Sequence, residues 1–324
     1  VSRNRRTILI GAQDFGPYWI GLAAKAGLTT LGLHPVSNVP AEDPRSLESL
    51  LARLKDPSFL GDVGELKSRG VELSLEAHAM HRLLPRDRFG SHPEWFRMEE
   101  GGVRTPDLNL CPSSEEALEV VEAQAEEMVE RIAEVFDGHR YHLWMDDNSR
   151  YCRCDRCRGL SASDQALTVC NRVAQGVRRA DPEGKTAYLA YQGTLAAPEK
   201  VKPLPGIFVE YAPVDRDSRF PLASGRSEKN ATARSFIPAL LDAFGREGSQ
   251  ALEYWLDDTY FYRWTPPYGE LPFYRGVVRR DARYYRSLGF ENIATFACGI
   301  NAEYEEEFGP PPVEEFGRIL AEEF

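Results

Sequence analysis

Strand-like runs alternate with helix-like runs from one end of this chain to the other, a pattern that limits the fold to a mostly parallel sheet covered by helices. The strand-like runs fall at residues 7–11, 29–33, 71–75, 141–145, 186–191, 207–211, 252–256 and 292–296. Between them lie helical signals. Pro17 opens a short helix, and Asp43-Pro44 offers a cap ahead of Leu47, Leu50, Leu51 and Leu54. Ser113 with Glu116 reads as a capping box for a helix carrying Leu118, Val121, Met128, Ile132 and Val135. Further helices are expected through Leu167, Cys170, Val173 and Val177, then at about 236–244 and 274–288. Eight strands without an internal repeat or a flexible linker predict one (β/α)8 TIM-type barrel over residues 1–324, with its site at the C-terminal strand ends. The rival doubly wound sheet would carry a glycine-rich turn after its first strand if it bound a nucleotide. Gly11-Ala12-Gln13-Asp14-Phe15-Gly16 lacks that pattern, so no organic cofactor is expected.

Charge narrows the partners. With 39 Lys+Arg against 50 Asp+Glu, the formal net charge of −11 disfavours nucleic acid or an anionic membrane, although Arg279-Arg280 can form a local basic patch. No apolar run approaches the roughly 18 residues of a membrane helix. The apolar run at 7–11 is too short for a secretory signal and reads as a strand, which gives a cytoplasmic expectation.

Three of the six cysteines lie together in Cys152-Arg153-Cys154-Asp155-Arg156-Cys157. Thiolates at this spacing converge on one soft ion, most often tetrahedral Zn²⁺. Cys111 is the first choice for the fourth ligand, with Cys170 or a nearby acid second. Four protein ligands leave no open position, so such a metal would staple a loop instead of performing chemistry.

The fourth strand delivers Asp146 and Asp147 at its C-terminal end, beside Trp144. The seventh, Leu252-Glu253-Tyr254-Trp255-Leu256-Asp257-Asp258, ends in the same way and continues into Tyr260. Aromatic faces stack on the C–H surfaces of sugars, and carboxyls bind hydroxyls or move protons. Glu76 beside His78 and His81, and Glu210 beside Tyr211, are further acids at strand ends. Glu210 and Glu253 suit a pocket or a salt bridge equally. His92-Pro93-Glu94-Trp95-Phe96 suits a pocket wall or an anchored surface loop.

His92-Pro93-Glu94-Trp95-Phe96, Leu110-Cys111-Pro112-Ser113, Asp147 before Cys152-x-Cys154-x-x-Cys157, Asn171-Arg172-Val173-Ala174 and Leu189-Ala190-Tyr191 follow one another in this order. Together they resemble the domain-of-unknown-function 4838 family, over about residues 78–213. The resemblance implies a glycoside-hydrolase-like barrel, some members of which are endo-β-N-acetylglucosaminidases of glycoside hydrolase family 163 acting on glycoprotein glycans. It places Asp147 at the family's acidic position before the cysteines, where members often carry Pro-Asn-Asp-Gly and this chain has Met145-Asp146-Asp147-Asn148.

The leading expectation is therefore a glycoside hydrolase, possibly β-N-acetylglucosaminidase-like by resemblance, acting on a carbohydrate or glycoconjugate with Asp147 as general acid/base. Asp146 would orient a substrate acetamido group, or Glu253 would act as nucleophile. His78, Trp144, Tyr191, Glu210, Trp255, Asp257 and Tyr260 are the expected substrate contacts. Two alternatives remain. One is a non-catalytic carbohydrate-binding or structural barrel with its acids held in salt bridges; the other is a metal-dependent hydrolase of another class using His78 and His81.

Overall fold

The computed structural model describes residues 4–37 and 39–324. Eight strands close into a barrel in sequence order: β1 (Arg5–Gly11), β2 (Thr30–His34), β3 (Glu72–His78), β4 (Arg140–Trp144), β5 (Lys185–Tyr191), β6 (Ile207–Ala212), β7 (Gln250–Glu253) and β8 (Asn292–Phe296). Every neighbouring pair is parallel, including the closing pair of β1 and β8. The fold is a (β/α)8 barrel, as the alternation predicts.

The period of two along each strand sorts side chains between two cores. On β1, Ile8 and Ile10 face the helices, while Leu9 points into the lumen with Trp144, Ala187, Phe208, Leu252 and Ala294. The outer layer comprises α1 (Pro17–Lys25), α2 (Leu47–Arg53), α3 (Pro57–Ser68), α4 (Met80–Leu83), α5 (Glu115–Ile132), α6 (Ala162–Ala180), α7 (Glu228–Ser235), α8 (Ile237–Phe244), α9 (Asp258–Phe261), α10 (Arg275–Leu288), α11 (Ala302–Phe308) and α12 (Val313–Glu323). The flanking helices α5 and α6 approach backbone to backbone at Gly176, where a Cβ would sit 2.1 Å from the Glu122 carbonyl oxygen. Among the described residues no helix is long and apolar enough to cross a membrane.

Several local expectations shift. Ser114, not Ser113, caps α5 by accepting from the Ala117 N–H, and Ser113 turns its hydroxyl to Cys157 instead. Ser46 caps α2, because Asp43 is engaged by the Arg45 guanidinium and backbone. The seventh strand begins and ends earlier than the apolar run suggests, at Gln250–Glu253. Helices α11 and α12 after β8 complete the helical layer; the sequence pattern leaves them unread.

Candidate active-site cleft at the C-terminal strand ends

A cleft of about 610 Å³ opens where the strands end. Its floor is the uppermost inward-facing layer of the barrel: His34 of β2, His78 of β3, Trp144 of β4, Tyr191 of β5 and Phe296 of β8, with Tyr254 just beyond β7. The rings pack edge to face, with His34 4.9 Å from Phe296 and His78 5.2 Å from Trp144 between centroids. Backbone carbonyls fix both imidazoles. His34 Nδ1 lies 2.8 Å from the Glu76 oxygen, and His78 Nδ1 lies 2.6 Å from that of Met145. A carbonyl partner requires the proton on Nδ1, so that in the neutral ring Nε2 is the acceptor. Burial, reinforced by neighbouring His78, lowers His34 to about 4 and keeps it neutral.

Three carboxyls rim this floor, from the loops after β1, β4 and β7: Asp14, Asp147 and Asp257. Asp147 is exposed and hydrogen-bonds Tyr191, whose hydroxyl is pushed up by burial, by the charge of Asp147 and by that bond. Asp257 is buried and caps α9: its Oδ1 accepts from the Tyr260 N–H at 3.1 Å and the Thr259 hydroxyl at 2.6 Å. Burial raises Asp257 to about 7, against the opposing effect of those two bonds. Burial likewise raises Asp14 to about 6, while a hydrogen bond from Asn301 opposes the rise.

Other expected site residues lie elsewhere. Glu253 sits on the helix-facing side of β7, only 1% exposed, paired with Arg216 and accepting from the Tyr285 hydroxyl at 2.5 Å. Trp255 shares that outward parity and packs against Phe316 of α12. Glu210 does face the lumen, but one layer below the cleft. It accepts from Trp144 Nε1 at 2.9 Å and Gln250 Nε2 at 2.6 Å, and lies 2.8 Å from His142 Nδ1. Tyr260 stands behind the wall, its hydroxyl donating to the Val214 carbonyl at 3.1 Å. His81 turns to Glu48 at 3.1 Å, away from His78.

Asp146 is buried in the loop wall. Its carboxylate takes the Arg86 guanidinium and the Asn109 backbone N–H, while its own N–H donates to Asn109 Oδ1 at 3.0 Å. This clamp joins the long segment after β3 to the loop after β4 and so sets the position of Asp147. Asn109 holds the left-handed conformation, φ 52°, that the exchange requires. Of the two readings of the His92–Phe96 segment, the anchored loop fits: His92 and Trp95 stack on each other at 4.0 Å, with Trp95 Nε1 donating to Glu116.

The same two loops bring Cys111, Cys152, Cys154 and Cys157 together in a buried group whose sulfurs all lie within 4.8 Å of one another. Cys111 Sγ stands 3.7 Å from both Cys154 Sγ and Cys157 Sγ. A tetrahedron with metal–sulfur bonds of about 2.3 Å has edges of about 3.8 Å, so the spacing is compatible with a coordinated metal. The Met98 N–H donates to Cys152 Sγ at 3.3 Å, as outer-shell donors to thiolates do. Cys170, the second choice for a ligand, lies in α6 against the Ala187 carbonyl. Glu76, His142 and Glu210 are likewise spaced for a metal. There, however, the Trp144 and Gln250 N–H groups already occupy carboxylate oxygens, and buried Arg140 supplies positive charge nearby.

Asp14, His34 and Asn301 were not singled out by the sequence reading. The usable signal was position: each closely follows or ends a strand, as Asp147 and Asp257 do.

A closed barrel with aromatic side chains and carboxyls gathered around a cleft at its C-terminal rim defines the class: a (β/α)8-barrel protein with its candidate site on the face where such barrels bind ligands. The chain belongs to the family described as domain of unknown function DUF4838, whose model matches residues 59–241. No curated protein matches the sequence. Among solved structures, the chain is similar to the pneumococcal virulence factor StrH, from work on its N-glycan recognition and hydrolysis, at 11% identity and TM-score 0.51, covering 99% of this chain and 83% of that one. It is similar to a GH5-4 broad-specificity endoglucanase from Bacteroides salanitronis at 15% identity and TM-score 0.50, over 95% of this chain and 84% of that one. It also matches the exo-β-1,4-mannosidase Op5Man5 from Opitutaceae bacterium strain TAV5 at 14% identity and TM-score 0.49; that match covers 94% of this chain but spans 55% of the mannosidase. At such identities the likeness is one of fold.

Proposed function

We propose that the protein is a glycoside hydrolase whose acid–base pair is Asp147 and Asp257. The observation that carries this reading is the meeting of these carboxyls, from the ends of β4 and β7, in one cleft floored by aromatic rings. Glycosidic cleavage needs one carboxyl that still holds a proton near neutrality and a second that attacks or activates water. Asp257, raised to about 7, suits the proton donor. Asp147, open to solvent, suits the second role. Glu253 gives way to Asp257 because its carboxylate is committed to Arg216 on the helix side. Asp146 acts as a positioning residue through Asn109, and the Nε2 atoms of His34 and His78 accept hydrogen bonds from sugar hydroxyls. The carbohydrate-active enzymes among the fold relatives make glycans the first substrates to test.

The test is hydrolysis of a panel of aryl glycosides and glycans by wild type, Asp147→Asn and Asp257→Asn. Each substitution is expected to lower kcat by about 10²–10⁴-fold, the usual contribution of an acid–base group. Turnover that persists in both variants, or binding without turnover in the wild type, overturns the reading.

The cysteine group fits zinc, and the proposal includes one Zn²⁺ held by Cys111, Cys152, Cys154 and Cys157. Bound there, the ion supplies structural cross-linking, since all four positions are protein sulfurs. The thiols themselves tie the loop carrying Asp147 to the segment before α5.

A further inference from the structure

Trp264 is 57% exposed, while Trp19, Trp95, Trp144 and Trp255 are buried. It lines the outer edge of the cleft, on the loop after α9. An exposed indole on a surface loop is ordinarily unremarked, but here the backbone is constrained to present it. Arg263 and Trp264 both take φ 54°, a left-handed conformation uncommon for residues with bulky side chains. Turn hydrogen bonds hold them there: the Arg263 N–H donates to the Tyr260 carbonyl at 3.0 Å and the Trp264 N–H to that of Thr259 at 2.7 Å. Consecutive strain of this kind persists only where surrounding structure over-determines it, and it clusters at ligand sites.

Trp264 is also the end of a continuous line of rings. From the floor, His34 meets Phe296 at 4.9 Å, Phe296 stacks on Tyr254 at 5.1 Å, and Tyr254 lies 5.1 Å from Tyr260. Tyr260 then meets Trp264 edge to face at 5.8 Å. Tyr260 is anchored through its hydroxyl to the Val214 carbonyl, so the indole rests on a fixed support. The line leads from the floor of the cleft to the loop after α9 in steps of 4.9–5.8 Å between ring centroids, and it passes beside Asp257, which accepts from the Tyr260 N–H.

We propose that Trp264 is the outer stacking platform of an extended glycan track, so that the occupant of the cleft is an oligosaccharide of several units, not a single sugar. This rests on the reading of the cleft as a carbohydrate site. An aromatic face meets the apolar C–H surface of a pyranose regardless of hydroxyl pattern, so the platform adds affinity for chain length more than for sugar identity.

Fluorescence reports on this residue directly, because acrylamide quenches an exposed tryptophan and spares buried ones. Chito-, cello- and manno-hexasaccharides are titrated against wild type, with Trp264→Tyr as the blank for the quenchable signal. At least one hexasaccharide is expected to shield Trp264 from acrylamide where its monosaccharide does not. Trp264→Ala is expected to weaken that hexasaccharide about tenfold, raising KM more than it lowers kcat, as loss of one aromatic contact does, and Trp264→Tyr to restore most of it. Hydrolysis of a hexasaccharide with Trp264 still fully quenchable and Trp264→Ala kinetically silent overturns the track and leaves the hydrolase reading standing. Shielding and weakened binding in Trp264→Ala without any hydrolysis keeps the track and removes the hydrolase. Equal shielding by the monosaccharide overturns the extended occupant.

Discussion

Glu253 ends β7 and Asp257 lies in the loop that follows; burial raises both carboxyls, and it is their partners that put them to opposite uses. Glu253 faces α10, where Arg216 bridges it to Asp281 at 2.7 Å. Removing its charge leaves Arg216 one partner short in a buried site, so Glu253→Gln is expected to cost up to about 3 kcal/mol in urea denaturation while the folded enzyme keeps its kcat. A variant of wild-type stability and no activity would return Glu253 to the chemistry. Among the described residues no cation hydrogen-bonds Asp257, and burial raises it to about 7. As pH climbs through that value it loses the proton the reaction needs. The alkaline limb of kcat/KM is therefore expected near pH 7, and a limb beyond about pH 9 would remove Asp257 from the acid role. Both acids were visible in the sequence as candidates. Their roles were not, because the apolar run does not say which alternate set of β7 side chains faces the lumen, and Leu252 and Tyr254 take that side while Glu253 takes the other.

At the scale of elements, the loops after β3 and β4 act as one unit. The Asp146–Arg86–Asn109 clamp and the four cysteines join them at two points. Cys154→Ser is expected to abolish binding of about one equivalent of zinc per chain and to lower the melting temperature by about 5 °C or more. Elemental analysis and a melting scan check this; less than about a tenth of an equivalent in wild type would exclude the metal. The clustering of Cys152, Cys154 and Cys157 was legible from spacing. The choice of Cys111 over Cys170 followed from loop placement, and the structure brings Cys111 to 3.7 Å from two of the three while Cys170 stays in α6. The clamp was not legible: Asn109 carries no motif, and only tertiary contact pairs it with Asp146.

Across the whole barrel, Glu76, Glu210 and His142 occupy a fully buried polar layer beneath the cleft. Burial raises Glu76 from 4.5 to about 8 and Glu210 to about 7, so the folded chain keeps protons that the unfolded chain releases. That stability is complete at low pH and is lost as pH rises through the folded values. His34 and His142, both lowered to about 4, act in the opposite sense below their ordinary 6.5. Between about pH 7 and 8 the unfolded histidines are largely neutral while folded Glu76, raised to about 8, still holds its proton, and release of that proton is expected to lower wild-type stability there by up to about 1.4 kcal/mol per pH unit. Glu76→Gln should flatten that fall in urea denaturation at the two pH values. Equal losses in both proteins would place the retained proton elsewhere.

What could be read along the chain was whatever local pattern controls: eight strands in order, the helical faces, the cysteine run and the acids that follow strands. Apolar periodicity and residue spacing carry that information over a few residues, where backbone geometry is nearly invariant. The tertiary structure alone decided which acids share a cleft. Closing the barrel sets Asp14, Asp147 and Asp257 around His34, Trp144 and Phe296, sends Glu253 to Arg216, and sinks Glu210 a layer below. Those outcomes depend on strand register, on parity at the strand ends and on side chains distant in sequence desolvating one another, and none of these is written in the neighbours of a residue.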